Sequence, residues 1–245
     1  MQTAIINIGE TTSTNDYLKQ QAESFQQHDI IIVSAEHQTC GRGQGTNKWE
    51  SEAHQNLLFS ILVHPTCVAA TEQFVLSMAE ALAVRSALTK ISGEEFALKW
   101  PNDIYWHDRK LGGTLIETAL AGRTIKQCVI GTGLNINQTR FLSDAPNPVS
   151  LAQITGCEWS RQEVLGEVAS AFEHYYLMAL EHHYDIIAAE YHSALYRRTG
   201  FHPYRDARGE FSAAIARVDL NGTLHLQLPD GSARSYAFKE VSIVI

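Results

Sequence analysis

The sequence predicts an α+β fold in which a mixed, largely antiparallel sheet is covered by helices and followed by a small C-terminal β-barrel. Three observations lead to this prediction. Strand-like apolar runs are mixed with amphipathic helical patterns, but the two do not alternate strictly, as they would in a parallel α/β protein. Two strand patterns flank a tight turn at residues 121–123 and therefore predict a hairpin. Beyond Phe201, short alternating segments are separated by turn residues.

The larger predicted domain covers residues 1–200, and its elements follow in order. Short apolar or β-branched runs predict strands at residues 4–8, 29–35, 57–63, 96–100, 112–119 and 124–137. Apolar residues at helical spacing predict helices at residues 17–25, 71–91 and 164–180. Asp16 follows Ser13 by three residues, which predicts a capping box at the start of the first helix.

The smaller predicted domain covers residues 201–245. Leu224, Leu226 and Leu228 alternate with polar residues, and the alternation resumes after a turn at residues 229–232. A domain of about 45 residues buries too little apolar surface to be very stable alone. We therefore expect it to dock on the larger domain.

Composition and charge limit the classes of function. The formal net charge of −8 disfavours a general binder of nucleic acids or membrane surfaces, which would carry a basic excess. The four cysteines, at positions 40, 67, 128 and 157, are too widely spaced for a zinc pattern and too few for a disulfide framework. Neither a secretory signal nor a membrane-spanning run is visible. We therefore expect a cytoplasmic protein with reduced thiols.

A glycine-rich loop follows the predicted strand at residues 29–35. Residues 41–45 read Gly-Arg-Gly-Gln-Gly. Glycine lets the backbone approach a ligand closely, and a fixed cation such as Arg42 in this loop indicates an anionic ligand. The loop is not a Walker motif, because Thr46 occupies the position of that motif's last glycine.

Two further segments concentrate charge. Residues 99–103 read Lys-Trp-Pro-Asn-Asp, and residues 109–113 read Arg-Lys-Leu-Gly-Gly. Each lysine taken alone would be interpreted as a solvated surface charge. Two lysines and an arginine beside a Pro-Asn-Asp turn and a Gly-Gly step predict instead that this region handles an anion.

Two weaker polar segments complete the pattern. Residues 131–137 read Gly-Thr-Gly-Leu-Asn-Ile-Asn, and Ile136 excludes a dinucleotide fingerprint, which needs a third glycine there. Such a strand end can still place amides against a base or ribose. Residues 13–15, Ser-Thr-Asn, taken alone indicate helix capping. The histidines form no HExxH pattern, so we assign no metal site.

Together these segments closely resemble biotin protein ligases (biotin–[acetyl-CoA-carboxylase] ligases), in the expected order and over nearly the whole chain. The most specific part is Lys-Trp-Pro-Asn-Asp followed by Lys-Leu-Gly-Gly. The resemblance implies a biotin/lipoate ligase-like catalytic domain, an SH3-like C-terminal domain and ATP-dependent protein biotinylation. Biotin would be activated as biotinyl-5'-AMP with release of pyrophosphate. It would then be transferred to a lysine of a biotin carboxyl carrier domain.

The resemblance also implies roles for individual residues. It implies catalytic roles for Arg42, Lys110 and Asp103. The residues implied to bind biotin are Ser13, Thr14, Asn15, Gln38, Gly41, Arg42, Gly43, Lys110, Gly112 and Gly113. Those implied to bind ATP are Arg42, Gln44, Asn47, Trp49, Lys99, Asn102 and Asn135. Mg²⁺ would accompany the nucleotide without a protein cage of its own.

The glycine loop departs from the family pattern. The best-known loop reads Gly-Arg-Gly-Arg-Arg-Gly-Arg-Lys-Trp, whereas Gln44, Gly45 and Asn47 stand here in place of three arginines. We hypothesise that amide hydrogen bonds from Gln44 retain the adenylate, more weakly than arginine charges would.

The resemblance implies a protein partner and leaves two alternatives. The partner would be the biotin carboxyl carrier domain of a biotin-dependent carboxylase. Because the chain begins at the predicted catalytic domain, we expect the monofunctional form, a monomer or weak homodimer that binds neither DNA nor membranes. The alternatives are a lipoate-protein ligase and a non-catalytic, regulatory biotin-binding protein. The complete motif set favours biotin over lipoate, whereas the altered loop is the feature that supports the non-catalytic alternative.

Overall fold

A computed structural model describes residues 1–25, 27–45, 47–142 and 147–245, so Thr46 lies outside the described residues. Seven strands form one sheet in the order β1-β2-β3-β7-β6-β5-β4. These strands are β1 (Thr3–Thr11), β2 (Ile30–Gln38), β3 (Leu57–Val63), β4 (Ala97–Lys99), β5 (Asp103–Trp106), β6 (Arg109–Ala121) and β7 (Thr124–Leu134). Only the β1–β2 pair is parallel among them. The prediction of a mixed, largely antiparallel sheet is confirmed.

Helices cover both faces of this sheet. They are α1 (Thr14–Gln21), α2 (Phe74–Ser92), α3 (Leu151–Thr155), α4 (Arg161–Leu180) and α5 (Tyr184–Ser193), with short 3₁₀ turns at Ala22–Phe25 and Ala70–Glu72. On one face, Leu18 of α1 packs with Ile31 and Val33 of β2. Ile30 and Ile32 belong to the larger core on the opposite face, which includes α2 and α4. This alternation explains why the β2 sequence is apolar without interruption: successive side chains point to opposite, equally buried faces.

Five C-terminal strands form a second, antiparallel open sheet in the order β11-β10-β9-β8-β12. They are β8 (His202–Asp206), β9 (Gly209–Val218), β10 (Leu224–Gln227), β11 (Ala233–Tyr236) and β12 (Val241–Ile243). The sheet docks on the larger unit: the indole of Trp100 donates a 3.0 Å hydrogen bond to the carbonyl of Gly222. The Phe238 ring lies 5.6 Å from the Trp100 ring and 5.7 Å from that of Phe74. One continuous apolar core therefore joins the two sheets.

The structure corrects the predicted capping box. Ser13 is the N-cap of α1, but its side chain makes no capping hydrogen bond. The first backbone N–H of the helix, that of Thr14, is satisfied instead by Gln38, and the Asp16 carboxylate accepts from Arg42. Long-range partners thus replace the local cap. A complete capping box does occur at α3, between Ser150 and Gln153.

Several strand boundaries differ from the prediction, and those of β6 and β7 have consequences for the site. β6 begins at Arg109 rather than residue 112, so Lys110 lies on a strand paired with β5. β7 ends at Leu134, and the Asn135 amide then bonds to the Leu111 carbonyl at 2.9 Å. Among the described helices, none combines the length and apolar character needed to cross a membrane.

Candidate active site

The motif residues converge on one cavity of about 820 Å³, lined by both the large sheet and the C-terminal sheet. Most of the predicted site residues line it: Ser13, Thr14, Asn15, Gln38, Arg42, Gly43, Gln44, Asn47, Trp49, Lys99, Asn102, Asp103, Lys110, Gly113 and Asn135. Gly41, Gly112 and Arg109 are described but are not among the lining residues. Arg109 instead donates to the carbonyl of Pro148 at 3.1 Å.

A hydrogen-bonded network holds the polar wall at the start of α1. Gln38, the last residue of β2, accepts from the Thr14 amide at 2.7 Å and the Thr14 hydroxyl at 3.0 Å. The hydroxyl of Ser60 lies 2.6 Å from Thr14 Oγ1 and 2.5 Å from Asn15 Oδ1. A Cβ on Gly131 would lie 2.1 Å from Asn15 Oδ1, so only glycine leaves room for this side chain. The wall is therefore fixed before any ligand binds.

Arg42 lies beside two carboxylates. Its guanidinium donates to Asp16 at 2.6 Å and to Glu117 at 3.4 Å. Burial opposes ionisation of Glu117, but hydrogen bonds from Lys19 and Asn15 and the nearby positive charges outweigh it, and the pKa of Glu117 is lowered. An incoming anion would have to compete with these carboxylates for Arg42.

Lys110 and Asp103 form an ion pair between neighbouring strands. Lys110 Nζ lies 2.6 Å from Asp103 Oδ1, and the two side chains are 22% and 16% exposed. Gly113 pairs with Asp103 across β5 and β6. A Cβ on Gly113 would lie 3.1 Å from Asp103 Oδ1 and 3.4 Å from Lys110 Nζ. The absence of a side chain there keeps both charged groups open to the cavity.

Lys99 contributes a second, more buried cation. Its ammonium lies 3.3 Å from the Tyr105 hydroxyl and 4.9 Å from the centroid of that ring. Burial lowers the pKa of Lys99, and the charge of Asp103 partly offsets this. Since a buried ammonium gains more from a nearby anion than an exposed one, Lys99 suits a phosphate ligand.

Two glycines, Gly41 and Gly133, lie against Trp49, and Gly112 packs against Gly133. The backbone N–H of Trp49 bonds to the Gly41 carbonyl at 3.0 Å. A Cβ on Gly41 would lie 2.7 Å from the Trp49 carbonyl oxygen, and one on Gly133 would lie 2.5 Å from the indole. A Cβ on Gly112 would meet the Gly133 carbonyl at 2.7 Å. Gly41 and Gly112 therefore permit close packing behind the site rather than contributing to its surface.

Sequence reasoning missed a polar cluster beneath the cavity floor. Glu80 of α2 is fully buried and accepts hydrogen bonds from the hydroxyls of Thr114 at 2.9 Å and Thr132 at 2.5 Å. Burial raises the pKa of Glu80 to about 7, although both hydroxyls favour its ionised form. Thr114 and Thr132 line the cavity. The available signal was a carboxyl on an otherwise apolar helix face, between Leu76 and Val84.

Sequence reasoning also missed what the C-terminal sheet contributes. Tyr204, Ile215, Leu224 and Val241 line the cavity, as does Lys239 from the β11–β12 turn. No local motif marks these residues, because they reach the site only through the docking of the two sheets.

Comparison with known proteins agrees with this geometry. The family model described as "Biotin/lipoate A/B protein ligase family" matches residues 8–135, just over half of the chain. A biotin–[acetyl-CoA-carboxylase] ligase of Mycobacterium tuberculosis is 35% identical over 150 residues, which cover 60% of this chain and 54% of that protein. The bifunctional ligase/repressor BirA of Bacillus subtilis is 28% identical over 213 residues, covering 84% of this chain. The chain spans 64% of that relative's length.

Solved structures extend the similarity to the whole fold. The biotin protein ligase of Aquifex aeolicus in complex with biotin and ATP superposes with a TM-score of 0.80 at 25% identity, covering 98% of each chain. The Leishmania major biotin protein ligase in complex with biotinyl-5-AMP has the same fold, with a TM-score of 0.67 at 20% identity, and the match covers 96% of this chain and 98% of that one. The chain belongs to the biotin/lipoate A/B protein ligase family.

Proposed function

We propose that this protein is an ATP-dependent biotin–protein ligase. It activates biotin as biotinyl-5'-AMP with release of pyrophosphate and then transfers biotin to a lysine of a biotin carboxyl carrier domain. The observation that carries the proposal is the convergence on one cavity of a fixed polar wall, residues 13–15 with Gln38, and the cations Lys99 and Lys110. The similar Aquifex aeolicus protein was solved with both biotin and ATP bound.

In the first step, a carboxylate oxygen of biotin attacks the α-phosphorus of ATP while the bond to the pyrophosphate oxygen breaks. Two anions must approach each other, so the reaction needs fixed positive charge at the point of contact. Arg42 and Lys110 line the cavity and provide it. Both are held by carboxylates, so substrate oxygens must compete with these partners for the two cations.

Mg²⁺ would accompany the triphosphate and add positive charge there. In the described part of the chain, no group of three or more His, Cys, Asp or Glu side chains could hold a metal ion by itself. Substrate phosphates would therefore supply most of its ligands, as is usual for nucleotide-bound magnesium.

In the second step, the acceptor lysine attacks the carbonyl carbon of the adenylate. A C–N bond forms, the bond to AMP breaks, and the amine loses a proton. Asp103 is the carboxylate best situated to accept it, since its side chain lines the cavity within 2.6 Å of Lys110. Once Lys110 engages the substrate, Asp103 is free for the acceptor amine.

The proposed enzyme comprises a catalytic domain, residues 1–200, and an SH3-like domain, residues 201–245. The start of the second sheet at His202 supports this boundary. We further propose that it acts in the cytoplasm as a monomer or weak homodimer, with a carrier domain as its protein partner. The net charge of −8 supports a protein that binds neither DNA nor membranes.

Pyrophosphate release tests the proposal and separates the alternatives. The protein is incubated with ATP and Mg²⁺ plus biotin, plus lipoate, or without an added acid. We expect release that depends on biotin and is at background level with lipoate. Release with lipoate alone would identify a lipoate-protein ligase. Binding of biotin without any release would identify a non-catalytic binder.

A further inference from the structure

We propose that Lys239, in the β11–β12 turn, binds the polyphosphate of ATP and supplies positive charge that the glycine loop lacks. This inference rests on the proposed function, because it assigns a residue of the C-terminal sheet to the nucleotide of that reaction. It concerns a part of the chain in which the sequence shows no motif.

Lys239 lies directly against the glycine loop. It lines the same cavity as Gln44 and Asn47. A Cβ placed on Gly45 would lie 1.8 Å from Lys239 Nζ and 2.9 Å from Cε. The ammonium group therefore occupies the space that a side chain at Gly45 would fill. A glycine in the loop and a lysine from the other sheet form one surface.

The backbone of Lys239 adopts a strained conformation in this turn. Its φ angle is +70°, in the left-handed region that favours glycine. A lysine in this conformation is strained relative to glycine. The turn is well supported on both sides. The Phe238 ring packs on Trp100, and the Ala237 amide donates to the Glu240 carboxylate at 2.7 Å.

The charges around the loop explain why a further cation is needed. Arg42 is paired with Asp16 and Glu117. Lys110 is paired with Asp103. Lys239, by contrast, makes no ion pair with any residue that the structure describes. Its ammonium is a compact charge of the kind that binds phosphate, and no carboxylate among the described residues must be displaced to use it.

A bound triphosphate would therefore connect the two sheets. Its oxygens would be held by the loop from one side and by Lys239 from the other. Since the loop contains no arginine at positions 44, 45 and 47, the ammonium from the C-terminal sheet compensates for part of the missing charge.

The test uses the full chain and compares Lys239→Gly with Lys239→Arg. Glycine removes the ammonium and relieves the positive φ, so we expect an unchanged or higher melting temperature. We expect the dissociation constant of Mg²⁺–ATP, measured by calorimetry, to rise about tenfold, while that of biotin changes less than about twofold. Lys239→Arg should retain ATP affinity within about threefold of wild type, since the charge is preserved.

Two control variants match the two changes. His182→Gly relieves another positive φ, +60°, at the end of α4. Lys126→Ala removes an exposed ammonium from β7. Neither should alter ATP affinity. An unchanged ATP dissociation constant in folded Lys239→Gly, or a loss equally large in Lys126→Ala, would overturn the assignment.

Failure of the proposed function would look different. In that case, wild type would bind Mg²⁺–ATP but release no pyrophosphate with biotin. The Lys239 assignment would still be tested by the dissociation constant of Mg²⁺–ATP, with inorganic tripolyphosphate as a second probe.

Discussion

Lys110 Nζ and Asp103 Oδ1 lie 2.6 Å apart on neighbouring strands, and Gly113 leaves both open to the cavity. The two steps of the proposed reaction need these groups in turn. Adenylation needs the ammonium beside the phosphate, and transfer needs a carboxylate that can accept a proton. The ion pair holds the two groups together until a substrate separates them.

Replacement of Lys110 by alanine should affect adenylation most. We expect Lys110→Ala to lower the rate of biotin-dependent pyrophosphate release by about 10²–10³-fold, because a cation at the reacting phosphate is lost. Lys126→Ala, an exposed charge change, serves as the control. Near-normal pyrophosphate release by Lys110→Ala would contradict the role given to this residue.

Asp103 should act mainly in the second step. Asp103→Asn keeps the shape of the side chain but cannot accept a proton. We expect transfer from preformed biotinyl-5'-AMP to the carrier to slow by about 10²-fold, with a smaller effect on pyrophosphate release. Single-turnover measurement of each step makes the comparison. Equal losses in both steps would assign Asp103 a purely structural role.

Gln44 should influence how firmly the adenylate is retained. In Gln44→Arg, a charged donor replaces an amide in the cavity lining. We expect release of biotinyl-5'-AMP to slow by about tenfold, because a hydrogen bond to phosphate strengthens when its donor is charged. The off-rate is measured by trapping released adenylate. If Gln44→Arg and wild type release it at the same rate, the loop's altered residues do not control retention.

Glu80 should make stability depend on pH. Its ordinary pKa of 4.5 is raised to about 7 by burial, so the folded state binds the proton more tightly than the unfolded state. The stabilising effect is complete below pH 4.5 and is lost as pH rises to about 7, for a total of about 3 kcal/mol in the free energy of unfolding. The unfolding free energies of wild type and Glu80→Gln, measured by denaturant titration, should diverge over this range. The glutamine variant should be relatively more stable at higher pH. If the difference in unfolding free energy between the two proteins stays constant over this range, Glu80 does not titrate as proposed.

Gly133 should tolerate no side chain, whereas Gly166 should. A Cβ on Gly133 would lie 2.5 Å from the Trp49 indole, while one on Gly166, within α4, would have no heavy atom within 4 Å. We expect Gly133→Ala to lose about 1–3 kcal/mol of unfolding free energy and to change the tryptophan fluorescence. Gly166→Ala should gain up to about 1 kcal/mol, because alanine favours a helix. Equal effects of the two substitutions would rule out the tight Trp49 contact.

The pattern of apolar residues in the sequence predicted strands best where both faces of the strand are buried. β3, residues 57–63, was predicted to the residue because its apolar run is uninterrupted. The start of β6 was missed, since Arg109 and Lys110 are charged and only their pairing with β5 makes them part of a strand. The predicted capping box of α1 was wrong for a related reason. Gln38, which is distant in sequence, accepts the hydrogen bond from the first N–H of the helix.

The same distinction applies to the site. Gln38, Lys110 and their neighbours were found because the motifs keep them together in short segments. Lys239 could not be found this way, because its contact with Gly45 depends on how the C-terminal sheet docks. Glu80 was hidden in a helix whose pattern is otherwise apolar, and its partners lie on two strands.

The central claim is the formation of a biotinyl-lysine bond, and the intact mass of a biotin carboxyl carrier domain tests it most directly. The domain is incubated with this protein, ATP, Mg²⁺ and biotin. The proposal predicts a mass increase of one biotinyl group on a single lysine. The increase should be absent without ATP or with lipoate in place of biotin, and Lys110→Ala should slow it by about 10²–10³-fold. An unchanged carrier mass, under conditions where a known biotin protein ligase modifies the same domain, would contradict it.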